Sequence, residues 1–346
     1  MNSNVEKVIV FKNDAVGDLT QSLEAIQNII EVHKDKTIEI YLSERSKKFS
    51  FLINNDNITY KSINYDLNLK DKIKLLLYLL KNKISHIYIL TPKNFYFYLP
   101  LFFHKIKFYG LCINGPNNYK RPSQFLRKYL YKYVINDREA IFKRDHTTKL
   151  QSNLTRENNN IRNKHFNSKL NLSNLLSENL PKNYIYFHLK KSITEKLNWD
   201  INDLQKLFNF FLEKYDNVVF TKDIEKKDEN NFLEEKFTII NFNNKKILNQ
   251  NLNSKILLFD EIEGEDLYNT ILNATKVVAF HGMMTNLASI NKKSIIDMWF
   301  CDIKNYNDYR NYRNAFYEFK PRYDGYNFII PSKQIDKTIK KISKFI

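Results

Sequence analysis

Val8-Ile9-Val10-Phe11-Lys12-Asn13-Asp14-Ala15-Val16-Gly17-Asp18-Leu19 is the stretch that decides the fold: an apolar run, a short polar segment, then a glycine and an aspartate heading a helical pattern. Consecutive apolar residues closed by a polar turn read as a strand buried on both faces, the habit of parallel sheets. Apolar positions then recur at helical spacing through 19–32. A strand feeding a helix in this way is the first half of a βαβ unit, and the alternation repeats along the chain. Strands are expected at 8–12, 38–42, 58–61, 86–90 and 107–111, with helices at 19–32, 69–81 and 122–135.

From about 145 to 182 the sequence turns Asn-, Ser- and Lys-rich and loses its apolar periodicity, as a connection between domains does. The alternation then restarts, with strands at 184–188, 217–221, 256–258, 276–280 and 294–298 and helices at 201–214, 265–273 and 284–290. The expected class is α/β, two doubly wound Rossmann-like domains in tandem: 1–150, a linker over 151–182, 183–331, and a tail helix within 332–346. In open α/β sheets ligands sit beyond the carboxyl ends of the strands, so the loops that follow the strands are where chemistry is sought.

The chain has 346 residues, 43% of them hydrophobic, enough for more than one core. Only six glycines and seven prolines accompany a heavy load of Lys, Asn, Ile, Phe and Tyr, a bias of A/T-rich codons that makes single surface Lys or Asn residues weak signals. A formal net charge of +17 favours anionic partners without choosing among them. Cys112 and Cys301 match no metal spacing and read as buried, reduced thiols of a cytosolic protein. The N-terminus lacks the pattern of a signal peptide, and the most apolar stretch, 95–111, is interrupted by Pro100, His104, Lys105 and Lys107 and is too short to span a bilayer.

Asp18 falls where a carboxylate either caps the helix or takes a proton from a hydroxyl. Gly17 beside it allows a tight turn and a close backbone approach. At the head of the second domain Tyr184-Ile185-Tyr186-Phe187-His188 leads into Lys190, Lys191, Lys196 and Trp199. Further on, Lys276-Val277-Val278-Ala279-Phe280 runs into His281-Gly282-Met283-Met284-Thr285-Asn286 and another helix. A turn entering a helix presents unpaired N–H groups and the positive end of the helix dipole, which suits a diphosphate.

Together these elements resemble the lipopolysaccharide heptosyltransferases of glycosyltransferase family 9: a first strand and Gly-Asp, a second-domain strand followed by a basic loop and Trp, and a glycine turn opening a helix. The resemblance covers about two thirds of the chain. It implies the GT-B arrangement, two Rossmann-like domains facing each other across a cleft. It also implies that Asp18 is the catalytic base, that Lys190, Lys191 or Lys196 contacts the donor phosphates, and that His281, Gly282, Met283, Met284, Thr285 and Asn286 form the rest of the donor site. The family usually has Asp-Ser/Thr-Gly-x-x-His-x-Ala at this turn. Here His281 precedes the glycine, Thr285 and Asn286 stand near the family's histidine position, and one extra residue comes before Ala288.

The implied activity is metal-independent, inverting transfer of heptose or a related sugar from a nucleotide-diphosphate sugar to a lipopolysaccharide core or other cell-surface glycan. No cofactor beyond that donor substrate and no metal ligand set is expected, since the sequence has neither an Asp-x-Asp motif nor a His/Cys cluster. Lys12, Gly17, Lys120 and Arg121 are the expected acceptor contacts, the acceptor being a lipid-linked saccharide. Between Lys93 and Arg144 eleven basic residues face two acidic ones and alternate with aromatics, which suits peripheral binding to an anionic membrane at its cytoplasmic face. A helix over 122–135 would carry Arg127, Lys128 and Lys132. No nucleic-acid partner is expected, although a basic nucleic-acid or membrane module and a catalytically inactive GT-B relative are the competing classes.

Overall fold

The computed structural model describes residues 6–53, 55–115, 119–138, 146–156, 172–223, 237–249 and 255–346. The chain divides into two compact units, residues 1–164 with 303–320 and residues 165–302 with 321–346. Both are α/β.

The first unit is built on strands β1 (Lys7–Lys12), β2 (Thr37–Leu42), β3 (Ile58–Ser62), β4 (Ile84–Ile89), β5 (Lys107–Gly115), β6 (Tyr119–Arg121) and β7 (Lys132–Asp137). They pair in the order β3-β2-β1-β4-β5, with β7 parallel and β6 antiparallel to β5. Without the short β6, this is the doubly wound order 3-2-1-4-5-6. Val8, Ile9, Val10 and Phe11 are fully buried, as a central strand covered on both faces requires. Phe11 stacks on Tyr96, ring centroids 4.1 Å apart, in the core formed with Ile87, Ile89 and Phe97.

The second unit contains β8 (Tyr184–Leu189), β9 (Asn217–Lys222), β10 (Thr238–Asn241), β11 (Lys246–Asn249), β12 (Ile256–Asp260), β13 (Lys276–Phe280), β14 (Ile295–Met298) and β15 (Tyr326–Ile329). Their order is β11-β10-β12-β9-β8-β13-β14-β15, parallel throughout except for the β10–β11 pair. Its core gathers Phe187, Phe208, Phe211, Phe220 and Phe280 around β8.

Local chemistry explains why several elements fall where the pattern puts them. Helix Leu69–Lys81 starts where the Asn68 side chain accepts from the Asp71 amide, and helix Ile201–Leu212 starts at a capping box between Asp200 and Asp203. Each cap contributes about 1 kcal/mol.

Elsewhere the structure departs from the sequence reading. The expected helix over 122–135 is a single turn, Gln124–Arg127, followed by β7. Arg127 is buried, donating to Pro122 O and Ile113 O at 3.1 Å and to Asn114 Oδ1 at 2.8 Å, so it is not a free surface cation. Lys132 donates to Arg156 O at 3.1 Å. The boundary at 150 falls inside helix Thr147–Thr155, which packs in the first unit, where Asn28 donates to Thr155 Oγ1. Residues 157–171 of the expected linker lie outside the described residues, while helix Asn174–Asn179 is part of the second unit. Residues 303–320 fall within the expected second domain, yet helix Tyr306–Phe319 belongs with the first unit, where Glu318 accepts from Asn136 at 2.6 Å. Cys112 is buried, its thiol pushed up to about 12 by desolvation, whereas Cys301 is only partly buried.

Candidate functional sites at two topological switch points

In the first unit the chain winds outward from β1 toward β2 on one side and from β4 on the other, so the loops after β1 and β4 open beside each other. Lys12 ends β1. It was expected to meet an anionic acceptor, but it is 2% exposed and its Nζ pairs with Asp14 Oδ2 at 2.9 Å. Asn13 donates to Asn64 O at 2.8 Å, and the Ser43 and Ser46 hydroxyls donate to Asp14 O at 3.0 and 2.8 Å. The loop after β1 is thus held by the loops after β2 and β3. Burial pushes the Asp14 carboxyl up, Lys12 draws it down and neighbouring Asp18 pushes it up again, leaving it above the usual carboxylate range.

Asp18 lies in the first turn of helix Val16–Val32, whose N-cap is Ala15. It does not cap the helix with its side chain, and its partly exposed carboxylate has no hydrogen bond or ion pair among the described residues. A negative charge there is favoured by the helix dipole, by roughly 0.3–1 kcal/mol. Gly17 is inside that first turn instead of forming a tight turn before it. Lys120 is exposed on β6, and Arg121 reaches Pro92 O, just past β4, at 3.5 Å.

The second unit reverses between β8 and β13, and the loops after these two strands carry the expected donor residues. Lys190 is the N-cap of the short helix Lys191–Leu197, and its Nζ lies 3.9 Å from where a Cβ on Gly282 would stand. No bond to that ammonium is found among the described residues. Lys191 instead pairs with Glu195 at 3.7 Å, and Lys196 stands 5.9 Å over the Phe300 ring. Of the three candidate lysines, only Lys190 is seen at the glycine turn. Trp199 is a core residue, its indole donating to Ser332 O.

Gly282 has φ +156° and ψ −143°, a conformation that a Cβ disfavours, and it caps helix Met283–Ile290 without a side-chain bond. The first intrahelical donor is the Asn286 amide, which bonds Gly282 O, so the amides of Met283, Met284 and Thr285 lie in the turn where helical N–H groups lack partners. The Thr285 side chain points inward, donating to Asp297 Oδ1 at 2.9 Å, and both Met284 and Asn286 are buried. The Thr285 side chain is thus framework and those of Met284 and Asn286 are packed inside.

His281 is held by a residue that the sequence did not mark. Asp297 on β14 is fully buried, and its Oδ2 accepts from His281 Nδ1 at 2.8 Å, Trp299 Nε1 at 2.6 Å and the Tyr326 hydroxyl at 2.8 Å. The His281 ring also stacks on Trp299, centroids 3.5 Å apart. Burial first, and then the Asp297 charge, raise the Tyr326 phenol and keep it protonated as a donor. Nearby, His188 bonds Thr221 and Asp223; burial is the largest influence on Asp223 and opposes its ionisation, but the His188 contact and the Lys190 charge together outweigh it and hold the carboxyl below its usual range. Asp297 was legible only as a polar residue interrupting a strand. No cluster of three or more His, Cys, Asp or Glu fit to hold a metal occurs among the described residues, and no helix among them is long and apolar enough to cross a membrane.

The fold has counterparts among solved structures. A glycosyltransferase of family 9 from Veillonella parvula superposes with a TM-score of 0.62 at 13% identity, over 100% of this chain and 91% of that one. The ADP-heptose lipopolysaccharide heptosyltransferase II of E. coli gives a TM-score of 0.65 at 12% identity, over 98% of both chains. This chain has their fold. The E. coli heptosyltransferase WaaC, solved with ADP-2-deoxy-2-fluoro heptose, matches over 98% of each chain with a TM-score of 0.58 at 9% identity. No family model and no curated protein matches the sequence.

Proposed function

We propose that the protein is a glycosyltransferase that moves heptose or a related sugar from a nucleotide-diphosphate donor to a lipopolysaccharide core or another cell-surface glycan. The observation that carries this reading is the Lys190 ammonium beside Gly282 at the head of helix Met283–Ile290, close enough to Asp223 to act on its charge but without a hydrogen bond among the described residues, an anion site at the switch point of the second unit. The shared fold supports it.

In the proposed reaction an acceptor hydroxyl attacks the anomeric carbon on the face opposite the diphosphate. Its proton passes to the Asp18 carboxylate as the new C–O bond forms. The bond from the anomeric carbon to the phosphate oxygen breaks, and the configuration inverts. The diphosphate leaves with its charge met by Lys190 and by the N–H groups of the Gly282 turn, which supply the electrostatic stabilisation without a metal. Acceptor hydroxyls find partners in the first unit, in a cavity of about 390 Å³ lined by Tyr41, Glu44, Lys61, Asn64, Asp71 and Lys74. The acceptor's lipid places the enzyme at the cytoplasmic face of the membrane, held by exposed basic residues such as Lys120 and Lys128.

The test is an incubation of the purified chain with ADP-, UDP-, GDP- and dTDP-activated sugars, with and without truncated lipid-linked glycans. Acceptor-dependent release of a nucleoside diphosphate is the expected result. A folded protein that releases no nucleotide from any pair overturns the transferase reading.

A further inference from the structure

Asp297 is a fully buried carboxylate with no lysine or arginine bonded to it among the described residues. Such a group is costly unless its oxygens are saturated with hydrogen bonds. Here they are: three donors converge on Oδ2 and the Thr285 hydroxyl reaches Oδ1. Two of those donors come from the turn that forms the anion site, His281 just before Gly282 and Thr285 in the following helix. The carboxylate therefore ties both ends of that turn to β14.

The bond also settles the chemistry of the imidazole. A carboxylate accepts, so His281 Nδ1 carries the hydrogen and Nε2 is the other nitrogen. Nε2 has no partner among the described residues and is not enclosed, since the residue remains partly exposed while Trp299 covers one ring face. The free nitrogen of a fixed ring thus sits one residue from the glycine beside which the Lys190 ammonium stands.

Resting on the glycosyltransferase reading, we propose that Asp297 is the positioning residue of the nucleoside-diphosphate site, holding His281 so that Nε2, once protonated, donates to a phosphate oxygen. Lys190 supplies the permanent charge there and His281 the titratable one. Among the described residues, the charged or titratable groups around the imidazole are Asp297 on β14, Tyr326 on β15, Tyr323 just before it and Lys190 after β8. The two phenols are raised and neutral. An anion bound against the ring favours its doubly protonated form, so nucleotide affinity rises as the solution is made more acidic. One hydrogen bond to a charged group is worth about 1.5–3 kcal/mol, or roughly 10- to 150-fold in Kd.

The experiment is calorimetric titration of the whole chain with ADP and with UDP from pH 5.5 to 8.5, together with ¹⁵N NMR of the histidine ring nitrogens. The free wild-type protein should show His281 with hydrogen on Nδ1, and Kd for the preferred nucleotide should fall at least tenfold toward low pH. Asp297→Asn should lose that pH dependence and shift the ring tautomer. His281→Gln, which leaves Asp297 its other donors, should bind with one weak affinity across the range if Asp297→Asn does not fold. Binding that is independent of pH in wild type, or a neutral ring with hydrogen on Nε2, overturns the role of Asp297 and leaves the donor site standing. Absence of binding by either nucleotide at every pH removes both the donor site and the positioning role.

Discussion

Replacing Gly282 by alanine probes the turn on which the donor site depends. At φ +156° and ψ −143° the residue occupies a region that side chains disfavour. A Cβ built there meets Lys190 Nζ at 3.9 Å and Phe280 O at 4.0 Å, ordinary contact distances, so no clash contributes. The whole cost is backbone strain, of order 1–3 kcal/mol. For a unit of this size that is a fall in melting temperature of roughly 2–12 °C. If the chain relieves the strain by rotating the turn, the N–H groups at the helix head move and nucleotide binding weakens as well. Differential scanning fluorimetry with and without ADP or UDP reads both effects: a lower melting point for Gly282→Ala, and a smaller upward shift on adding the nucleotide than wild type shows. A variant that melts within a degree of wild type and responds equally to nucleotide would refute the geometry assigned to this turn.

Other outcomes follow from the same structure. Lys190→Ala should raise the Kd for a nucleoside diphosphate roughly 10- to 150-fold, the worth of a hydrogen bond to a charged group, while Lys196→Ala, which removes a cation from the Phe300 ring, should leave it near wild type by calorimetry. Arg127→Ala should destabilise the first unit by about 2–4 kcal/mol in chemical denaturation, because it strips the partners from Ile113 O and Asn114, without changing sedimentation with anionic vesicles. His86 is held down to about 4, chiefly by burial and then by His33, so between that value and the ordinary 6.5 the unfolded chain binds a proton that the folded chain does not. Stability should therefore drop as pH falls through this window, by about 1–2 kcal/mol after allowance for partial exposure, and His86→Gln should remove that part of the slope. Activity should be unchanged by EDTA, given that Lys190 and backbone N–H groups carry the leaving charge.

Much of the fold was legible because local and global signals agree. The limits of helix Leu69–Lys81 and of β13 agree with the sequence reading, the helix from its apolar spacing and the strand, Lys276 to Phe280, as a bounded apolar run. Residues 122–135 failed because Phe125, Tyr129 and Tyr133 mimic a helical stripe, while Tyr131, Tyr133 and Ile135 equally fit the two-residue period of a strand. Pairing with β5 decided between the two. Helix Tyr306–Phe319 escaped notice because little of its buried surface is apolar: Asn314 and Glu318 are buried beside Phe316. In the candidate sites, strand-end positions and glycine turns are visible in a sequence. Side-chain direction is not, which is why Lys12, Thr285 and Asn286 turned out to be buried. Asp297 was invisible for a related reason: its role depends on His281, Thr285, Trp299 and Tyr326 meeting around it, and only the sheet brings them together.

Asp18→Asn tests the central claim most directly, because it removes the proposed base while keeping side-chain shape and the helix start. With the donor and acceptor pair that supports turnover, single-turnover sugar transfer and nucleotide binding are measured on the same preparations. A base in hydrogen-bond reach of the reacting hydroxyl contributes roughly 10²- to 10⁴-fold. The account predicts a loss of transfer in that range with nucleotide affinity and melting temperature close to wild type. Transfer by Asp18→Asn at the wild-type rate would contradict it.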